Sequence, residues 1–183
     1  MNFHNRIRLD VTNHIATVTL TRADKHNGMD MLMLDAMGEV QKAVRKLKDL
    51  RAIILQGEAP SFCAGLDMKS MSAHPVKAAF KMLKVWSPVR NQFQQWSMGW
   101  RDIPVPVIAL VHGNCFGAGL QLALGADIRI ATADAKVSIM ERKWGLIPDM
   151  GGAALLRELV RIDIAKELTW TGRVISGAEA HTL

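Results

Sequence analysis

Apolar positions recur along this chain with two different periods. Ile7 and Leu9, then Ile15 to Leu20, alternate with polar residues, which puts every second side chain on one face of a strand. Thr12-Asn13-His14 between them predicts a hairpin turn. From Asp30 to Leu50 the period lengthens. Leu34, Met37, Val40, Val44 and Leu47 return every three or four residues, the spacing of one helix face, and Asp30 stands where it can cap the first turn. Arg51 to Gln56 (RAIILQ) predicts a buried strand. Pro75 to Trp100 predicts a helix broken at Pro88, and Val105 to Val111 a further strand entered through Pro104 and Pro106. Phe116 to Ala126 reads as a helix of small residues, Asp127 to Ala131 as a strand, and Leu155 to Trp170 as a helix. The order β-β-α-β-α-β-α-β-α predicts an α/β protein with crossover connections. No linker interrupts the pattern, so residues 1–183 are expected to form one domain.

Composition narrows the class. A chain of 183 residues can bury roughly 70% of its unfolded surface. No apolar run approaches the ~20 residues needed to span a membrane. The opening MNFHNRIRLD has no apolar core of a secretory signal and enters a strand pattern at once, which leaves no room for a transit peptide. A cytoplasmic location is the expectation. Cys63 and Cys115 lie in apolar, glycine-containing runs, read as reduced thiols, and have no metal-ligand company at zinc spacing. The net charge of +6 and pI of about 9.6 favour an anionic partner. The charge is dispersed, however, and its densest run, Lys42 to Arg51, fits one solvated helix face. Nucleic acid is therefore not the expected partner.

Two segments carry candidate chemistry: Ser61-Phe62-Cys63-Ala64-Gly65-Leu66-Asp67-Met68 and His112-Gly113-Asn114-Cys115-Phe116-Gly117-Ala118-Gly119-Leu120-Gln121. Each follows a predicted strand and opens toward a helix. Small residues there let a backbone approach a ligand, and helix starts expose free N–H groups. Taken alone, the same glycines could serve tight strand-to-helix packing. The second segment is neither a Walker A loop nor a G-x-G-x-x-G fingerprint.

The ordered set of motifs is more specific. Phe62 to Asp67 resembles the F-x-A-G-x-D segment of the crotonase (enoyl-CoA hydratase/isomerase) superfamily. Pro106 to Gly113 is similar to its P-V-I-A-x-V-x-G strand, and Ala126 to Ala131 to its C-D-I-R-I-A. Glu141 with Gly145-Leu146-Ile147-Pro148 and Gly151-Gly152 resembles E-x-x-x-G-L-I-P-x-x-G-G. Leu168 to Arg173 looks like L-x-x-T-G-R, and Leu20 to Asn27 like L-x-R-P-x-K-x-N. The resemblance covers essentially the whole chain. It implies a crotonase-like ββα spiral and chemistry on acyl-CoA thioesters, with CoA entering as part of the substrate and neither metal nor redox cofactor.

Residue by residue, the resemblance places the oxyanion hole at the backbone N–H groups of Leu66 and Ala118. The family usually has glycine at the second position, and alanine still supplies the donor. A thioester oxygen gains negative charge when the substrate loses an α- or γ-proton, and one such preorganised donor is worth ~3–4 kcal/mol. The flanking Ala64, Gly65, Asp67, Met68 and Gly117 would line the bound thioester, with Arg22 and Lys25 near the CoA phosphates. Of the two glutamates of the family's hydratases, the first station falls on Gln121 and the second on Glu141. A third station, carboxylate-bearing in dienoyl-CoA isomerases and in 4-chlorobenzoyl-CoA dehalogenases, falls on Asp149. Gln121 cannot move a proton near neutral pH and would orient water or the acyl chain. Glu141 and Asp149 would shuttle the proton. Without the resemblance, Glu141 before Arg142 and Lys143 reads rather as a surface salt-bridge residue, and Asp149 as a helix cap. Phe80, Trp86, Phe93, Trp96 and Trp100 recur at helical spacing, as core residues or as a wall along the acyl chain.

In the family, the point matching Leu183 leads into several C-terminal helices that complete the pocket and build a trimer or hexamer. The helical C-terminal part is therefore expected to be missing here. The leading function is enoyl-CoA hydration or isomerisation. A thioester hydrolase or dehalogenase with Asp149 as nucleophile, and a weakly active binder of acyl-CoA or RNA, are the alternatives.

Overall fold

A computed structural model describes residues 1–72 and 90–183, apart from the side chains of residues 71 and 72. Strand β1 (Asn2–Phe3) pairs antiparallel with β2 (Ile7–Thr12), and β2 with β3 (Ile15–Leu20). The predicted turn is present. Asn13 (φ 50°) and His14 (φ 64°) are both left-handed, the mirror-image geometry that matches strand twist in a two-residue hairpin. From β3 onward the sheet is parallel, through β4 (Ala52–Gly57), β5 (Val107–Val111) and β7 (Ile128–Ala131), in the order β1-β2-β3-β4-β5-β7.

Helix α1 (Met31–Lys46) lays Met33, Leu34, Met37, Val40 and Val44 into the core. Asp30 caps it, its carboxylate accepting from the Met33 N–H at 2.8 Å. The helix stops four residues before the predicted Leu50, where the chain turns extended at Leu47 and Asp49 takes a left-handed φ of 63°. Helices α2 (Met68–Ser72) and α3 (Gln92–Met98) flank the residues outside the described part. The first half of the predicted Pro75–Trp100 helix, with Phe80, Trp86 and Pro88, falls there. Trp96 and Trp100 are buried core, which sets aside the acyl-wall reading for these two.

The sequence pattern missed a second sheet, β6 (Asn114–Phe116), β8 (Lys136–Ser138) and β9 (Ile175–Ser176), in the order β6-β8-β9. Its strands are two or three residues long, too short for a period to register. Phe116 consequently ends a strand instead of starting a helix, and α4 (Ala118–Leu124) begins after Gly117. The predicted Leu155–Trp170 helix is two: α5 (Gly152–Leu159) and α6 (Ile162–Thr171), separated by Val160 in extended conformation (φ −135°, ψ 160°). A short α7 (Gly177–Thr182) follows β9.

Parallel β4 and β5 deliver their following segments to the same edge of the sheet, where α/β proteins bind ligands. The two segments are laced together. Phe62 N–H donates to the His112 carbonyl at 2.8 Å, Cys63 N–H to Asn114 at 3.0 Å, and Phe116 N–H back to Cys63 at 3.0 Å.

Candidate active site

The lacing sets the two glycine turns side by side. Gly65 (φ 93°) and Gly117 (φ 50°) are both left-handed, a conformation that side chains resist. A Cβ on Gly65 would stand 3.7 Å from the Ala118 nitrogen, which measures how close the turns come. Leu66 follows one glycine and Ala118 the other. The Met29–Leu66 bridge uses the N–H groups of Met29 and Asp67, leaving that of Leu66 outside the ladder. Among the described residues, neither the Leu66 nor the Ala118 N–H meets an acceptor. The Ala118 carbonyl accepts from Trp96 Nε1 at 2.8 Å, so a core tryptophan fixes the peptide that follows.

Glu141 lies in a 3-10 turn (Met140–Trp144) after β8. It is 6% exposed, whereas its neighbours Arg142 and Lys143 are exposed to solvent. A Cβ on Gly117 would stand 3.3 Å from Glu141 Oε1, so this carboxylate adjoins the turn that carries Ala118. Oε1 accepts from Gln121 Nε2 at 2.6 Å. Among the described residues, Oε2 is buried with no hydrogen-bond partner. Burial raises the Glu141 pKa above the usual glutamate value, its own backbone N–H and the Gln121 hydrogen bond partly offset the rise, and the Asp149 charge adds to it.

Gln121 is equally buried. Its Oε1 accepts the Gly152 N–H at 2.9 Å, so the carboxamide bridges the 3-10 turn and the start of α5. Ser97 Oγ on α3 donates to the Met150 carbonyl, anchoring the same turn from the other side. Between them sits Asp149. It does not cap α5, whose cap residue is Gly151 with no side-chain bond. Its carboxylate lines a cavity of about 330 Å³ with Arg90, Gln94, Met98 and Pro148, and is open to solvent on that side. Partial burial on the other raises its pKa.

Arg22 is turned inward. Its Nη2 pairs with Asp67 at 2.8 Å, Nη1 donates to the Gly28 carbonyl at 2.9 Å, and Nε lies 3.7 Å from Asp30. Asp67 also accepts the Ser70 N–H, starting α2. Burial opposes its ionisation, but the Ser70 hydrogen bonds and the Arg22 pair hold its pKa down to about 2. These two residues brace the Leu66 turn. Ala64 and Gly65 lie within the turn, Met68 is exposed beyond it, and Lys25 is exposed near its entrance. Both cysteines are free and fully buried. Burial pushes the Cys63 thiol up to about 12 and Cys115 well above its ordinary value. A larger apolar cavity of about 550 Å³ lies between α4, α5, α6 and α7 and touches neither Glu141 nor Asp149. Among the described residues, no group of His, Cys, Asp and Glu forms a metal-binding cluster.

The chain as a whole has counterparts among known proteins. The family model for enoyl-CoA hydratase/isomerase matches residues 10–183. The chain belongs to the enoyl-CoA hydratase/isomerase family. It is 33% identical over 171 residues to the mitochondrial methylglutaconyl-CoA hydratase of Mus musculus, covering 92% of this chain and 52% of the relative. To the (E)-benzylidenesuccinyl-CoA hydratase of Thauera aromatica it is 31% identical, covering 95% of this chain and 65% of the relative. The solved enoyl-CoA hydratase of Mycobacterium smegmatis superposes with a TM-score of 0.85 at 30% identity, over 97% of this chain and 67% of that one. That of Bacillus anthracis gives a TM-score of 0.86 at 28% identity, with the same coverage of 97% and 67%. The crotonase-type α/β fold expected from the motifs is thus the fold of the chain. The chain spans about half to two thirds of the length of these family members.

The Gly152 contact of Gln121 and the Arg22–Asp67 brace were absent from the sequence reading. Spacing offered no sign of either, because each joins segments 31 or more residues apart.

Proposed function

We propose that this chain carries the core of an acyl-CoA enzyme that moves a proton on an unsaturated acyl thioester, by double-bond isomerisation or hydration. The observation that carries the reading is the pair of acceptor-free N–H groups, Leu66 and Ala118, on adjoining turns beside a buried carboxylate. Those donors would hold the thioester oxygen as it becomes an enolate, where hydrogen bonds from a preorganised backbone strengthen most. Glu141, its pKa raised by burial, is suited to take a proton from carbon near neutral pH and return it. Asp149, across the turn and also raised, would serve the opposite transfer. The named substrates of the relatives, methylglutaconyl-CoA and benzylidenesuccinyl-CoA, are unsaturated thioesters of this kind. Lys25, exposed at the entrance, is the better placed of the two basic residues for the CoA phosphates, since the Arg22 guanidinium is held by acids and a carbonyl. Trp144, Ile147 and Trp170 expose large apolar surfaces, which supports assembly into a homo-oligomer.

The test is a product assay with 2-enoyl-, 3-enoyl- and 3,5-dienoyl-CoAs. Positional isomers or 3-hydroxyacyl products support the proposal. Release of free CoA instead would favour Asp149 as a nucleophile. Absence of any acyl-CoA binding by calorimetry on folded protein would remove the proposal.

A further inference from the structure

Gln121 occupies a station where a residue facing substrate was expected, yet its polar atoms face protein. Oε1 is taken by the Gly152 N–H at 2.9 Å, and Nε2 reaches Glu141 Oε1 at 2.6 Å. The side chain is 2% exposed, and a Cβ on Gly152 would stand 2.8 Å from its Oε1, so the fit tolerates no larger residue there. The orientation of the carboxamide is fixed by chemistry. A backbone N–H can only be met by the oxygen, which turns the NH2 group toward the carboxylate. Of the two oxygens of Glu141, one is thereby immobilised and the other, Oε2, is left without a partner. Gly152 is the first residue of α5, whose opening N–H groups lack helical acceptors. The strut therefore runs from α4 to the Glu141 turn and to the far end of the loop that bears Asp149.

We propose that Gln121 is a positioning residue that locks Glu141 by one oxygen, presents Oε2 alone for proton transfer, and couples Glu141 to the Asp149 loop. This rests on the proton-transfer role of Glu141 proposed above. Lacking a titratable proton at neutral pH, Gln121 acts through Glu141 and touches no reacting atom.

Few charges compete for control of Glu141. α4 contributes none, and Asp149 on the following loop is the one that raises it. Arg142 and Lys143 on its own turn face solvent. On α5, Arg157 is exposed and Glu158 pairs with Arg101. On α6, Lys166 is exposed, Asp163 pairs with Arg161 and Glu167 with Arg173. Loss of the Gln121 hydrogen bond should therefore read out directly on Glu141.

The experiment is a carboxyl-carbon NMR titration of Glu141 in ligand-free wild type and in Gln121→Met, which keeps volume and removes both hydrogen bonds. Its titration midpoint should move upward in the variant, and the limb of the pH–rate profile that reports the base should move with it. kcat should fall by up to about a hundredfold, the scale of a misplaced catalytic group, with KM little changed. Should Gln121→Met fail to fold, wild type alone still decides. The Gln121 side-chain NH2 resonances should shift with the Glu141 titration, and the Gly152 amide should be protected from exchange. An unmoved Glu141 midpoint in the variant, or NH2 resonances indifferent to Glu141 in wild type, overturns the inference. Neither resonance measurement needs turnover, so a chain that binds no acyl-CoA would sink the proposed function while leaving this test intact.

Discussion

Replacing Glu141 by glutamine should stabilise this protein at neutral pH while abolishing its turnover. The carboxylate is 6% exposed, and its Oε2 has no hydrogen-bond partner. Leaving a buried acceptor unsatisfied costs about 1–3 kcal/mol, and more when it is charged. Glutamine keeps an oxygen where Gln121 Nε2 donates and puts an NH2 group in place of Oε2, which removes the buried charge and its repulsion by Asp149. That NH2 is itself without a partner, so only the charged part of the penalty is relieved, a gain of about 1 kcal/mol, or ~2–4 °C in Tm for a chain of this size. The sign follows from linkage. The folded-state pKa of Glu141 is raised above its ordinary 4.5, so the folded state holds a proton the unfolded state has released. Wild type therefore loses stability as the pH climbs from 4.5 through the folded-state pKa, and the variant does not. The gap between the two should be small near pH 4.5 and full above the folded-state pKa. Thermal unfolding across that range measures it, and turnover should fall roughly a hundredfold or more in parallel. A gap of constant size at all pH values, or a variant less stable than wild type at neutral pH, would refute the reasoning.

Arg22→Met should destabilise the fold by about 2–3 kcal/mol, because it leaves half-buried Asp67 without its cation, while Asp30 keeps its closer partner Arg6. Denaturant titrations should show the gap narrowing as the pH falls from 3.8 toward 2, since the Asp67 pKa is held down to about 2 in the folded state and protonation removes the pair. Neither Cys63 nor Cys115 should react with a thiol reagent in native protein, and both should react on unfolding, as burial keeps the thiols protonated. Gly119→Ala should lower Tm and weaken acyl-CoA binding together, because a Cβ there overlaps the Cys63 carbonyl and pushes the two laced turns apart. A variant with unchanged calorimetric affinity would show that the turns are not the binding element.

Long elements with a single exposed or buried stripe were legible from the sequence. The α1 face at Leu34, Met37, Val40 and Val44, its Asp30 cap and the Asn13-His14 turn all stand where the period put them. What escaped was structure held by contacts from elsewhere. The strands β6, β8 and β9 are held by pairing with one another, with no period of their own. The break at Val160 is invisible to helix propensity, because Leu155, Leu156, Ala165 and Leu168 keep apolar spacing across it and are all buried.

The same division runs through the candidate site. The glycines that let two turns meet are visible in sequence, but it was the resemblance of their motifs, and not Gly65 and Gly117 by themselves, that put the expected donors at Leu66 and Ala118. Side-chain partners do not, because a hydrogen bond between Gln121 and Gly152 leaves no trace in either local pattern. Sequence thus assigned Gln121 to the ligand on the analogy of a glutamate at its station, while the geometry gives both ends of its carboxamide to the protein. The substitution of an acid by an amide changes more than charge. A carboxylate at 121 would meet Glu141 at the present 2.6 Å separation, where two negative charges repel by about 6 kcal/mol at an effective dielectric near 20. One proton would have to be shared, as in carboxylate dyads. The amide avoids that coupling, which leaves Asp149 as the acid whose charge acts on Glu141, and the second proton station is to be sought there, across the turn.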